Sequence, residues 1–380
     1  MNTAGPKKVI KGPDFNTEAP MAMKDLIEFY SKDNGQSMGG QTTNLEESIK
    51  IINEVLALRA DPSQPKPTIF LGITSNVISS GLRETVAFLC KHKLIDVVVC
   101  TGGGIEEDFM KISYPSYVME YVVDDKKWRV EGKNRIGNMV VITDAYNGLS
   151  DYMDPVFEEV DAEQVEYEAN GFTDPNFQYI TPSELIRRIG LQLASTGHHP
   201  NSYNYWCAKN DIPVFCPAVT DCAIGDDLYL YMFQKPNFTV DVNRDLTKLM
   251  DIACGSKGPI AAIILGGGMV KYHVMNACKV AGGLDYGVFV TVGEDWDGSY
   301  TGADTNEEIS RRAIKPTAKT VTLKSDFSFV FPLMVASTFV KHVYADGKKE
   351  NSEQQTEPNP KCMALKHTFP RFMLHQELLL

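Results

Sequence analysis

Two glycine triplets, Gly102–Gly104 and Gly266–Gly268, each stand between a β-branched run and a helical pattern. In an open parallel sheet the ligand lies at the carboxyl ends of the strands, where glycines let backbone amides approach a pyrophosphate. Neither triplet completes G-x-G-x-x-G, so each alone is equally compatible with a tight turn. A third strand-end loop, Thr74-Ser75-Asn76 with Ser79 and Ser80, adds hydroxyls and an amide where phosphate or ribose oxygens would be held. Three such loops together point to a dinucleotide. Acids follow them: Glu106, Glu107 and Asp108 after the first triplet, Asp221 and Asp226 in TDCAIGDD, and Asp295, Asp297 and Glu307 in GEDWDGSYTGADTNEEISRRAI. A carboxylate beside a phosphate is repelled, so at least one of Glu106, Glu107 and Asp108 should face something else, a ribose hydroxyl or a cationic substrate. Taken singly, each is also explained as a first-turn acid favoured by the helix dipole. As a set they suit a linear polyamine.

The elements that must position these residues begin at Pro67. PTIFLGIT reads as a buried strand, TSNVISSG as a small-residue turn, LRETVAFLCKHK as a helix and DVVVC as a second buried strand. That unit fixes parallel pairing and a right-handed crossover. TPSELIRRIGLQL carries Thr181 as N-cap, Pro182 at the first helical position and Glu184 closing a capping box. IPVFCPAV, PIAAIIL, LDYGVFVTV and TVTLK supply further strands, separated by the helices LTKLMDIAC and MVKYHVMNACKV and followed by FVFPLMVASTFVKHV. The alternation predicts an α/β fold, a doubly wound Rossmann-like parallel sheet over residues 66–344. Residues 1–65 read as two helices around a glycine-rich break, an N-terminal helical arm or lid. Residues 345–380 read as a polar C-terminal tail.

Composition narrows the classes. Of 380 residues 43% are apolar, and the formal charge is −12 with no long basic run, which argues against nucleic acid and for a basic partner or polycation. Eight scattered cysteines form no C-x-x-C pair, and His198-His199 lacks ligand spacing, so no metal site is expected. The N-terminus lacks the apolar core of a signal peptide and no apolar run approaches the roughly 18 residues of a membrane span. The expected location is cytoplasmic.

TIFLGITSNVISSGLRETVAFL, DVVVCTGGGIEED, NRIGN, IPVFCPAVTD, IILGGGMVKYH, DGSYTGA and SFVFPLMVASTF closely resemble deoxyhypusine synthase, and the likeness runs from about Asp14 to about Val340. The resemblance implies NAD as cofactor, spermidine as substrate and an enzyme lysine that holds the aminobutyl group as an imine before passing it to the hypusine-carrying translation factor. It also implies a tetramer of tight dimers with each active site at a dimer interface, capped by a neighbour's arm equivalent to Asp14–Asn16. By the same likeness Ser75, Asn76, Val77, Ile78, Ser79, Thr101, Gly102, Gly103, Glu107, Asp221, Gly267, Val292, Gly293 and Asp326 fall at cofactor-contacting positions. Glu106, Glu107, Asp226, Asp297 and Glu307 match acids near the spermidine.

The departures gather where the chemistry happens. Between GSYTGA and SFVFP the pattern runs without a gap, and its imine-forming lysine falls on Ala313. The tryptophan that covers the polyamine falls on Arg311, an acid on Tyr300 and a histidine on Tyr272. A guanidinium about 5 Å from a bound ammonium opposes it by roughly 3 kcal/mol at an effective dielectric near 20, on the order of a hundredfold in affinity. An alanine methyl forms no Schiff base. Lys315, two positions on, precedes Pro316 and is biased to extended conformations that send it elsewhere. The resemblance therefore implies a catalytically dead paralogue. Its expected role is a regulatory subunit that joins an active deoxyhypusine synthase in a heterotetramer, a dimer of dimers, and stimulates it. The alternatives are an active transferase working without the usual lysine, through Lys315 for example, and a module that senses NAD or polyamine.

Overall fold

Runs of β-branched and aliphatic residues form the six strands of the central sheet: β1 Thr68–Ile73, β2 Val97–Cys100, β3 Val214–Phe215, β4 Ile260–Leu265, β5 Leu284–Thr291 and β6 Ile314–Lys324. The structure is a computed structural model and describes residues 8–13, 22–32, 36–197 and 199–344. The Asp14–Asn16 motif and the 345–380 tail lie outside them. Every pairing in the sheet is parallel, and the order is β3-β2-β1-β4-β5-β6. The order reverses between β1 and β4, the place where a doubly wound sheet opens a crevice at the strand carboxyl ends. All six residues of β4 are buried because helices cover both faces. Alternation along the strands divides the core in two: Ile69, Leu71 and Ile73 join one cluster, Phe70 with Val97 and Val99 the other.

Five elements differ from the sequence reading. TSNVISSG is not a plain turn but contains a short helix, Ser75–Ser79, entered through Thr74. IPVFCPAV contributes only two strand residues, while the last strand starts at Ile314 and skips register between its first pair, Leu284 with Ile314, and its second, Tyr286 with Lys319. A three-stranded antiparallel sheet, Tyr117–Val118 beside Met139–Ile142 beside Lys133–Ile136, was not anticipated. Its strands are too short to show a period of two. The helix Gln41–Ala60, read as part of an arm, carries Ile49, Ile52, Val55 and Leu56 into the core. Its side-chain pattern belongs with the sheet, and the described residues all fall in one compact unit.

Phe327–Tyr344 is 18 residues long and apolar enough in composition to cross a membrane. In the fold it is two helices, Phe327–Ser337 and Phe339–Tyr344, parted at Thr338. Phe331, Met334 and Phe339 are buried in the core, so this apolar character serves packing. The helix Pro182–Thr196 has Thr181 as its N-cap, Oγ1 accepting from Glu184 N at 3.3 Å, and Pro182 at its first position, but the Glu184 carboxylate lies toward Arg187 (3.6 Å) and Arg188 (3.5 Å) instead of closing the expected box.

Candidate functional site

The loops after β1, β2, β4 and β5 meet at the switch point. Ser75 Oγ and Thr101 Oγ1 lie 2.5 Å apart, joining the first two loops. Gly103 stands beside them, and a Cβ there would come within 2.8 Å of Ser75 Oγ. Gly266 (φ +95°) and Gly268 (φ +55°) adopt left-handed backbone that glycine alone takes without strain. Gly267 lies against Thr301, whose Oγ1 accepts from Gly268 N at 2.8 Å, and a Cβ on Gly267 would sit 2.6 Å from Thr301 Cα. Gly293 packs against the same threonine. Thr301 was not singled out in sequence, because a lone threonine in a loop carries no signal.

The structure brings Ser75, Asn76, Ser79, Thr101, Gly102, Gly103 and Glu107 onto two adjoining strand ends. Val77 and Ile78 are wholly buried in the core, so only their backbone is offered to a ligand. Val292 is 73% exposed at the end of β5. Asp326 caps the Phe327–Ser337 helix, accepting from Ser328 N at 2.7 Å, and Asp221 is exposed.

The acids separate by environment. Asp108 is wholly buried and structural: it accepts from Arg83 Nε (2.7 Å), Ser202 Oγ (2.6 Å) and Asn204 Nδ2 (3.0 Å). Glu107 accepts from Ser79 Oγ at 2.6 Å through one oxygen, while its Oε2 is buried with no hydrogen-bond partner among the described residues. Burial raises its pKa above the ordinary carboxyl value. Glu106 accepts from Ile224 N at 3.2 Å, and burial pushes its carboxyl up to about 7. Asp226 is exposed in the first turn of the helix Ala223–Gln234. Asp297 is exposed and accepts from Ser299 N at 2.6 Å. Asp295 is paired with Lys324 Nζ.

On the other side of the site, Ala313 is 2% exposed and lies in an apolar cluster against which Tyr300 and Ile309 pack. Its carbonyl accepts from Leu284 N at 2.9 Å. Position 313 thus stands at the amino end of β5, opposite the end that carries the glycine loops. Glu307 is held by Arg311 at 2.7 Å. Tyr300 donates to Glu308 at 2.7 Å and meets the ring of Tyr272 edge-on at 5.2 Å. Lys271 is 3% exposed, donates to Ala303 O at 2.6 Å, and burial lowers its pKa. Sequence reasoning missed Lys271 and Glu308. The lysine could have been found as the one cation on the buried face of the Gly268–Val280 helix, shared with Val270, Val274 and Met275. Glu308 had no such signal beside Glu307. Lys315 pairs with Asp285 at 2.7 Å near the start of β6.

A parallel sheet in this order, with glycine loops at its switch point, defines a doubly wound, Rossmann-like α/β protein. The family model of deoxyhypusine synthase matches residues 32–338. The chain is 37% identical over 357 residues to the deoxyhypusine synthase of Candida glabrata, spanning 87% of this chain and 90% of that protein. It is likewise 37% identical over 356 residues to the probable deoxyhypusine synthase of Drosophila melanogaster, 90% and 91% of the two chains. The crystal structure of a putative deoxyhypusine synthase from Entamoeba histolytica aligns with a TM-score of 0.57 at 25% identity, over 87% of this chain and 97% of that one. The chain belongs to the deoxyhypusine synthase family.

Proposed function

We propose that this chain is a non-catalytic, regulatory member of the family that assembles with an active deoxyhypusine synthase and stimulates it. The observation that carries the reading is Ala313: a methyl group stands where the family likeness places the imine-forming lysine, and no change of pKa gives a methyl a nucleophile. Its surroundings agree, since the side chain belongs to a cluster of apolar groups. Lys315 is a poor substitute. It is engaged with Asp285 and sits at the amino ends of the strands.

The position of Ala313 also supports a shared site. The eight residues of β5, at about 3.3 Å each, put roughly 20 Å between its amino end, where Ala313 lies, and its carboxyl end, from which the loop of Tyr300 and Thr301 folds back toward it. Ala313 itself lies away from the glycine loops of its own chain, which is in keeping with the site between two chains that the family likeness implies. A dead chain with a sound cofactor half can contribute in such an assembly.

The residues at the switch point fit NAD. Gly103 and Gly267 leave no room for a side chain, and the unpartnered Glu107 oxygen is a ready acceptor for a ribose hydroxyl. Ser75, Ser79, Thr101, Glu107 and the Gly266–Gly268 backbone would hold it. When bound, NAD supplies the hydride acceptor for amine oxidation. Co-expression with an active paralogue tests the proposal. Transfer of labelled spermidine carbon to the translation-factor lysine is measured with this chain alone, with the paralogue alone and with both. The expected result is no transfer by this chain alone, a mixed oligomer, and at least tenfold stimulation; transfer by the purified chain alone overturns it.

A further inference from the structure

The carboxylates on the lysine side are already answered by cations of the same chain. Glu308 is 1% exposed and faces Tyr300 OH at 2.7 Å, Arg311 Nη1 at 3.6 Å and Lys271 Nζ at 3.8 Å. Arg311 also reaches Glu307, Nη2 to Oε1 at 2.7 Å, and its guanidinium lies 5.1 Å from the centre of the Tyr300 ring. Lys271 lies 5.2 Å from the same ring centre. The helix Thr305–Ser310 therefore offers two acids, and one guanidinium lies against both. A charge-assisted pair of this kind is stronger than a neutral hydrogen bond, and the tyrosine face adds its own attraction for the cation. An ammonium arriving at Glu307 has to compete with a guanidinium already 2.7 Å from it.

We propose that Arg311 is a built-in counter-cation that closes this half-site to linear diamines and polyamines, making it the residue that determines amine exclusion. The inference rests on the regulatory reading and deepens it: the chain lacks the nucleophile and also shields the acids that would bring an amine to it. Tyr300 belongs to the same device, since its hydroxyl binds Glu308 and its ring supports the guanidinium. Arg311 itself is 41% exposed at the side chain, so it is removable without opening the core.

The test is equilibrium dialysis of the purified full chain against radiolabelled spermidine, with no enzyme partner present. Wild type and Arg311→Lys, which keeps the charge, are expected to show no binding that depends on Glu307. Arg311→Met is expected to gain at least tenfold in spermidine affinity, and Arg311→Met with Glu307→Gln to lose that gain. A folded Arg311→Met chain, judged by its near-ultraviolet circular dichroism, that gains nothing overturns the proposal. If that variant does not fold, the wild type decides: spermidine binding abolished by Glu307→Gln overturns the proposal, and binding indifferent to it is the supporting result. Failure of stimulation in the mixed oligomer would remove the regulatory reading and leave this binding result standing, so the two failures are distinguishable.

Discussion

Gly267 and Thr301 are in contact across the ligand edge, close enough that a Cβ on the glycine would lie 2.6 Å from the threonine Cα. The obstacle is backbone, which cannot swing aside as a side chain can. Through this contact, and the hydrogen bond from Gly268 N to Thr301 Oγ1, the loop after β4 is fixed to the loop after β5.

Gly267→Ala should therefore push the two loops apart. Overpacking of this kind costs about 1–3 kcal/mol, read as a lower urea midpoint at unchanged slope. Because the displaced loops are those that would receive a pyrophosphate, NADH affinity in a fluorescence titration is expected to fall at least tenfold. An unchanged NADH affinity in a destabilised variant would separate these loops from cofactor binding.

Asp108 makes a second, purely structural prediction. It is wholly buried, and it gathers Arg83, Ser202 and the backbone amides of Tyr203 (3.3 Å) and Asn204 (3.1 Å) from two helices. Asp108→Ala leaves the Arg83 guanidinium, itself 6% exposed, without its carboxylate. Stranding a buried charge costs roughly 3–5 kcal/mol, so the urea midpoint should drop sharply. Arg83→Met with Asp108→Ala should recover part of the loss.

Glu106 supplies a pH dependence of definite sign. Its carboxyl is raised from 4.5 to about 7, chiefly by burial, so the folded state holds a proton that the unfolded state has released. Stability then falls as pH rises from about 4.5 through about 7, by a ceiling on the order of 3 kcal/mol. Glu106→Gln keeps an acceptor for Ile224 N and removes the titration. The variant should be more stable than wild type at pH 8, with the difference vanishing below the ordinary carboxyl value, in thermal or urea unfolding series.

The glycine loops at the strand ends were legible because their signals are local. Glycines sit where strands end, and buried strands announce themselves as runs such as IAAIIL. The lysine half was legible only as substitutions against a family pattern. Its meaning in three dimensions depends on Lys271 and Glu308, which lie 37 positions apart in the sequence and meet at 3.8 Å. Proximity of that kind leaves no periodicity. Asp108 shows the converse. Its neighbours Glu106 and Glu107 lie toward the strand-end loops, while it turns inward to cap another helix, and the run EED does not say which acid turns which way.

The fourth prediction concerns Ala313→Lys. If the missing amine were the only defect, restoring it would restore an imine with spermidine. The geometry argues otherwise. Ala313 is 2% exposed and packed near Ile309 and Tyr300, so a lysine there enters an apolar setting that disfavours its charge. Beyond it, Arg311 holds Glu307 at 2.7 Å and Tyr300 holds Glu308 at 2.7 Å, so an incoming amine meets two acids that are each already engaged through one oxygen. Ala313→Lys alone is therefore expected to trap no spermidine carbon on borohydride reduction, read by the mass of the intact chain. Ala313→Lys combined with Arg311→Trp and Tyr300→Asp removes the competing guanidinium and the tyrosine bond together, and should trap a measurable fraction. Efficient trapping by the single variant would mean that Arg311 and Tyr300 do not guard this half-site, and that Ala313 by itself silenced the chain.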